Sequence, residues 1–188
     1  NGRLILKDLD GITAGPVLTC MRAFTDNDIH VRGRCGNEND NNGTFYLSGL
    51  TQLRYHVRPI KVGDSQLEIV TDVTGSRSAG FVHKTLWSFF NDGSFTVENT
   101  VIPHGSMPKN SIPRIGLSLK LNRALEKVSY YGRGPRENYI DRLTGSFFKI
   151  WHDTVTGMYE PYVRPQDNGY RSDVRWAAFT DYKGRGGK

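Results

Sequence analysis

Two runs rich in aromatic and β-branched residues, Phe81 to Phe90 and Phe95 to Ile102, are separated by Asn91-Asp92-Gly93. Asp-Gly between such runs is the strongest short-range hairpin signal, because both central positions of the favoured two-residue turn require positive φ. A lone hairpin is marginal in water, so two strands of this length call for further strands around them. The flanking sequence offers several. Leu53, Tyr55 and Val57 alternate with Arg54, His56 and Arg58, the period-two pattern of a strand with one wet face. Leu67, Ile69 and Val73 predict another strand after the turn Gly63-Asp64-Ser65, and Ile115, Leu117, Leu119 and Leu121 alternate after a Pro- and Gly-bearing loop, Pro103 to Pro113.

The remaining runs are shorter. Arg3 to Leu9 and Val17 to Met21 suit strands punctuated by Gly11 and Gly15-Pro16, Thr44 to Leu50 suits one helical turn, and Val128 to Tyr131 leads into a polar stretch. His30 to Gly43 loses periodicity and fills with Gly, Asn, Asp and Arg, the composition of a mobile loop. Turn signals at roughly ten-residue spacing without an amphipathic helix predict an all-β fold, an antiparallel two-sheet sandwich, in one domain over residues 1–188.

Composition narrows the function classes. The net charge of +6 and a pI near 9.4 raise nucleic acid as a partner. Lys and Arg are scattered singly, however, and the one basic cluster is the tail Lys183 to Lys188, which reads as a loop; no nucleic-acid partner is expected. No run is long enough for a membrane helix, and no membrane partner is expected. Cys20 and Cys35 match no zinc or redox spacing and are expected as free thiols. The five histidines form no metal motif, so no metal site is expected. The triplet Asn42-Gly43-Thr44 is a formal glycosylation sequon of a kind common by chance. The opening Asn1-Gly2 lacks an initiator Met and reads as part of something longer, which leaves the compartment, cytoplasmic or periplasmic, open.

The densest polar chemistry lies in Tyr131-Gly132-Arg133-Gly134-Pro135-Arg136-Glu137-Asn138-Tyr139-Ile140-Asp141-Arg142, which reads as a tight-turning loop, and in a second loop from Tyr159 to Arg171. Glu137, Asn138, Asp141 and Arg142, with Asn168, Arg171 and Arg175, can serve sugar hydroxyls through paired hydrogen bonds. They can equally form a network pinning two long loops, with each Arg offering a forked donor to a carboxylate. The network is favoured, because loops this polar lie against a β-core only if their backbone groups find partners.

Gly-x-Gly-Pro-x-Glu-Asn-Tyr-x-Asp-Arg, then the Met158 to Arg171 run, resemble in order the C-terminal β-domain of family 2 glycoside hydrolases of the β-galactosidase type, and Thr25-Asp26-Asn27-Asp28 resembles the start of that domain. The resemblance implies a large two-sheet sandwich of the galactose-mutarotase-like kind that stops short of the family's full length. It implies a piece of a multidomain enzyme hydrolysing terminal β-galactosides, packed on a catalytic barrel, with carbohydrate as partner and a homo-oligomeric parent. No cofactor is implied in this chain; magnesium or sodium ions would be bound elsewhere in the parent. In the family resembled, the loop that follows Asp26, Asn27 and Asp28, here starting at His30, is a flap near the mouth of the sugar site; those three side chains can equally cap turns by binding backbone amides.

Retaining glycoside cleavage needs two carboxyl groups about 5 Å apart. Asp26 with Asp28, Glu38 with Asp40, and Glu137 with Asp141 are the candidate pairs, and none has a recognisable catalytic setting. In the family resembled, the catalytic glutamates lie upstream in the barrel, so no catalytic residue is expected here. A stand-alone carbohydrate-binding or mutarotase-like domain is the alternative; an epimerase would use a His and a carboxylate converging on a sugar, with His56 or His83 as the base.

Overall fold

The structure, a computed structural model, describes residues 16–23, 25, 49–107 and 112–187. Asp26, Asn27, Asp28, His30, the expected flap, Cys35, the sequon, the Arg3 to Leu9 run and most of Thr44 to Leu50 lie outside the described residues. The described residues form an all-β, antiparallel fold, as expected, with a 3-10 segment at Ile140–Gly145. The chain divides into two compact units, one of Leu18–Arg22 with Asn27–Leu117, the other of Asn1–Val17, Ala23–Asp26 and Ser118–Lys188.

The first unit is organised on β4 (Gln66–Thr74), β5 (Gly80–Phe89) and β6 (Phe95–His104). The hairpin is continuous from Gly80 opposite His104 to Phe89 opposite Phe95, and β4 pairs with β5 along its whole length. Two short strands, β2 (Arg54–Val57) and β3 (Lys61–Val62), both pair with β4. Val73, Ala79 and Phe81 are buried with Leu18, Cys20 and Leu50 to form the core of this unit. Strands β1 (Val17–Thr19) and β7 (Gly116–Ser118) make a separate two-stranded ladder.

Three expectations need correction here. The hairpin turn is not a two-residue turn with two positive φ angles. Phe90 N–H donates to Ser94 O and Gly93 N–H to Phe90 O, and only Gly93, at φ +84°, is left-handed. This is a three-residue loop ending in a glycine bulge, in which the Asp92 carboxylate accepts from the Ser94 amide and hydroxyl. Strand β2 is exposed on both faces, although the Tyr55 hydroxyl donates to Leu18 O. Alternation marks a face suited to being covered, and the described residues do not cover it. The run after Pro113 likewise holds only the three residues of β7, with Ile115, Leu117 and Leu119 exposed.

In the second unit β8 (Lys127–Gly134) is central, flanked by β9 (Phe147–Thr154) and β10 (Trp176–Thr180), with β11 (Gly186–Gly187) beyond β10. The basic tail is thus a hairpin rather than an open loop. The Asp181 carboxylate accepts from the amides of Lys183 and Arg185 and pairs with the Arg185 guanidinium, closing the turn.

Candidate functional site

The first four residues of the polar motif, Tyr131 to Gly134, belong to β8 and not to a loop. Burial alternates along that strand, with Val128, Tyr130, Gly132 and Gly134 facing inward. Neither glycine has positive φ; both are there for close approach. A Cβ on Gly132 would sit 3.0 Å from Val174 Cα, and one on Gly134 would collide with the Tyr130 hydroxyl and the Trp151 indole. Trp151 Nε1–H donates to Gly132 O at 3.2 Å and to Phe147 O at 3.3 Å, locking β9 onto this glycine strip. The chain leaves β8 through a cis Gly134-Pro135 peptide.

Asn138 anchors the turn beyond that peptide. It is 1% exposed, and every hydrogen-bonding capacity of its side chain is used. Its Nδ2 donates to Arg133 O at 2.9 Å and Arg136 O at 3.0 Å, while its Oδ1 accepts from the Ser172 amide at 2.7 Å and from the Ser172 hydroxyl. Its own N–H donates to Tyr170 O at 3.1 Å. One amide side chain therefore folds the Pro135 turn onto itself and ties it to the second loop. Ser172, its partner, stands one residue beyond the second loop motif, and nothing in the sequence singled it out.

Glu137 extends the connection. Its side chain is 4% exposed, and Oε2 accepts from the Gly169 amide at 3.0 Å. Arg142, 46% exposed, brings Nη1 to 3.6 Å from Glu137 Oε1 and donates from the same nitrogen to the Tyr162 hydroxyl at 3.1 Å. Asp141 lies 3.9 Å from Arg142 Nε. The expected forked Arg–carboxylate pairing is absent at this position. Backbone amides and an asparagine fasten the loops, and the Arg142 guanidinium lies across the Tyr139 ring at 5.1 Å. Tyr139 in turn stacks on Tyr170 with centroids 5.0 Å apart and donates to Asp167 at 2.8 Å.

Asn168 closes its own loop, accepting from the Glu160 amide at 2.9 Å and donating to the Glu160 carbonyl. Arg171 Nε donates to the Tyr130 hydroxyl at 3.1 Å, and that hydroxyl donates to Pro135 O. Arg175 is set apart from the others, its guanidinium 5.7 Å from the Phe148 ring. Thus Glu137, Asn138, Asp141 and Arg142 come together, Asn168 and Arg171 brace the neighbouring loop, and Arg175 belongs to the Tyr131–Phe148 surface. An open cleft of about 390 Å³ lies among Arg136, Glu137, Arg142, Gly145, Glu160 and Tyr162.

The histidines named for an epimerase do not meet a free carboxylate. His83 is buried and its Nε2 lies 3.0 Å from Asn99 Oδ1. His56 sits opposite Asp72, but Arg58 occupies both Asp72 oxygens, at 2.9 and 2.7 Å, and that hydrogen bonding holds the carboxyl below its ordinary range. Cys20 is a buried free thiol, and burial pushes its pKa up to about 11. Among the described residues no group of three His, Cys, Asp or Glu side chains could hold a metal ion.

Residues 1–186 match the family described as beta galactosidase small chain. Among curated relatives, the chain is 35% identical over 171 residues to a beta-galactosidase of Priestia megaterium, covering 88% of this chain and 15% of the relative. It is 32% identical over 159 residues to a beta-galactosidase of Vibrio cholerae, covering 82% and 15%, and 31% identical over 188 residues to one of Lactobacillus delbrueckii subsp. bulgaricus, covering 97% and 17%. The chain therefore spans less than a fifth of the length of these relatives.

Proposed function

Because this chain belongs to the beta galactosidase small chain family, we propose that its two units together are an accessory β-domain of a larger β-galactosidase. The domain helps shape the sugar site beside a catalytic barrel on which it packs, and the parent hydrolyses terminal β-galactosides. The observation that carries this reading is the extent of the match: nearly the whole chain aligns, yet it accounts for only 15–17% of each relative. The motif loops support it. Several of their polar side chains hold backbone in place, with Glu137 Oε2 bound to the Gly169 amide and Asn138 to the Arg133 and Arg136 carbonyls, which is the chemistry of a scaffold.

The chain alone is expected to leave a chromogenic β-galactoside intact, while the full-length parent cleaves it with retention at the anomeric carbon. Cleavage requires a positioned acid and nucleophile, and a site assembled from several domains loses its pre-organised contacts when one is isolated. Parallel assays on the purified chain and its parent decide the matter. Robust turnover by the chain overturns the accessory reading, and interconversion of α- and β-galactose without hydrolysis transfers it to an epimerase.

A further inference from the structure

Glu137 Oε1 is buried and has no hydrogen-bond donor among the described residues. Arg142 is near, but at 3.6 Å its nitrogen is beyond hydrogen-bond reach and is committed to the Tyr162 hydroxyl. A buried carboxylate oxygen without a donor is costly, and such atoms call for an explanation in the form of water, an ion or a ligand. This one belongs to a side chain that lines the open cleft of about 390 Å³, a volume within the range of small-molecule sites.

The lining selects the chemistry of the occupant. Glu137 and Glu160 are balanced by Arg136 and Arg142, so the cleft carries no net formal charge. A cation reaching Oε1 would also approach the Arg142 guanidinium, and an anion would approach two carboxylates. A neutral molecule that donates at one edge and accepts at another satisfies all four groups, with the Tyr162 ring beside it. We propose that this cleft binds a neutral polyhydroxylated ligand of monosaccharide size, one hydroxyl of which donates to Glu137 Oε1. Every residue lining the cleft belongs to this chain. The site rests on the proposed function only in the choice of a sugar as the ligand class.

The test is an amide NMR titration of the isotope-labelled 188-residue chain with galactose, raised to about 100 mM, roughly tenfold above a weak Kd near 10 mM. Saturable shifts at Gly145, Ser146 and Gly169 are expected. Glu137→Gln keeps a carbonyl for the Gly169 amide and replaces the acceptor in the cleft by a donor, and it should weaken binding at least about tenfold, the loss of one hydrogen bond to a charged partner. Gly145→Leu provides a second route, because Gly145 lines the cleft and a Cβ there meets nothing within 4 Å, so the substitution adds bulk at the cleft wall without a clash at its Cβ. It should abolish the shifts. If Glu137→Gln loses amide dispersion, Gly145→Leu decides alone. No saturable shift, shifts centred elsewhere, or shifts that survive Gly145→Leu overturn the site. That failure is distinct from failure of the accessory reading, which is scored by hydrolysis in the chain and its parent.

Discussion

The hairpin of β5 and β6 and the pair of loops around Asn138 solve the same problem in opposite ways. In the hairpin, backbone groups satisfy one another along a ladder from Gly80–His104 to Phe89–Phe95, and the pairing does not hang on any one side chain. Around Asn138 there is no ladder, and the Arg133 and Arg136 carbonyls and the Ser172 amide depend on one side chain. Order in the hairpin is spread over many equivalent bonds. Order in the loops is concentrated, so single substitutions there should have effects out of proportion to the atoms removed.

The largest effect is expected at the centre of the concentrated region. Asn138→Ala leaves several buried backbone groups unpaired and should lower stability by about 3–5 kcal/mol, since each stranded group costs roughly 1–3. Chemical denaturation would measure it, and a loss under about 1 kcal/mol would dissolve the contrast with the hairpin. Arg142→Ala comes next, at about 2 kcal/mol. Breaking a buried pair costs roughly 3–5 kcal/mol and an exposed one at most about 1, and here a buried carboxylate faces a half-exposed guanidinium. An unchanged melting temperature would mean that Glu137 does not need its counter-ion.

In the turn of the hairpin the most sensitive position should be Gly93. At φ +84° with open space around its Cβ, Gly93→Ala carries backbone strain without a clash, about 1 kcal/mol. A larger loss would show that the turn controls the ladder. Smallest is Arg58→Met at the exposed edge of the same sheet. The Arg58 hydrogen bonds depress the Asp72 pKa in the folded state, so their contribution is present above the ordinary value of 3.8 and is lost as pH falls through the lowered folded value. Stability curves of wild type and Arg58→Met should differ slightly at neutral pH and converge below about 3.8; a gap that widens in acid contradicts the pairing.

The same contrast explains what could be read in advance. Strand content and the position of the hairpin were legible because alternation and Asp-Gly are local signals, and the match of the two loop motifs to the family was legible from their residues. The conformation of the turn was not, because Asp92 keeps an ordinary φ when its carboxylate can bond Ser94. Gly132 and Gly134 look like turn residues in sequence; their role in β8 depends on Val174 and Trp151 arriving from elsewhere and on the Tyr130 ring folding along the same strand. The tie between Asn138 and Ser172 spans 34 positions, and no spacing rule announces it. Exposure of Tyr55 and Val57 shows the limit of periodicity, which marks a face without saying whether this chain covers it.

The Gly169, Ser172 and Glu160 amides donate to side-chain oxygens of Glu137, Asn138 and Asn168. An amide in a ladder exchanges its proton with solvent when the neighbouring strand separates, a cooperative event. An amide held by one side chain can exchange when that side chain changes rotamer, a far smaller excursion. Hydrogen exchange at Glu160, whose partner Asn168 is only part-buried, would therefore run on a local clock, faster than at the β8 amides. Gly169 and Ser172, whose partners Glu137 and Asn138 are buried, would keep time with the unfolding of the unit as a whole.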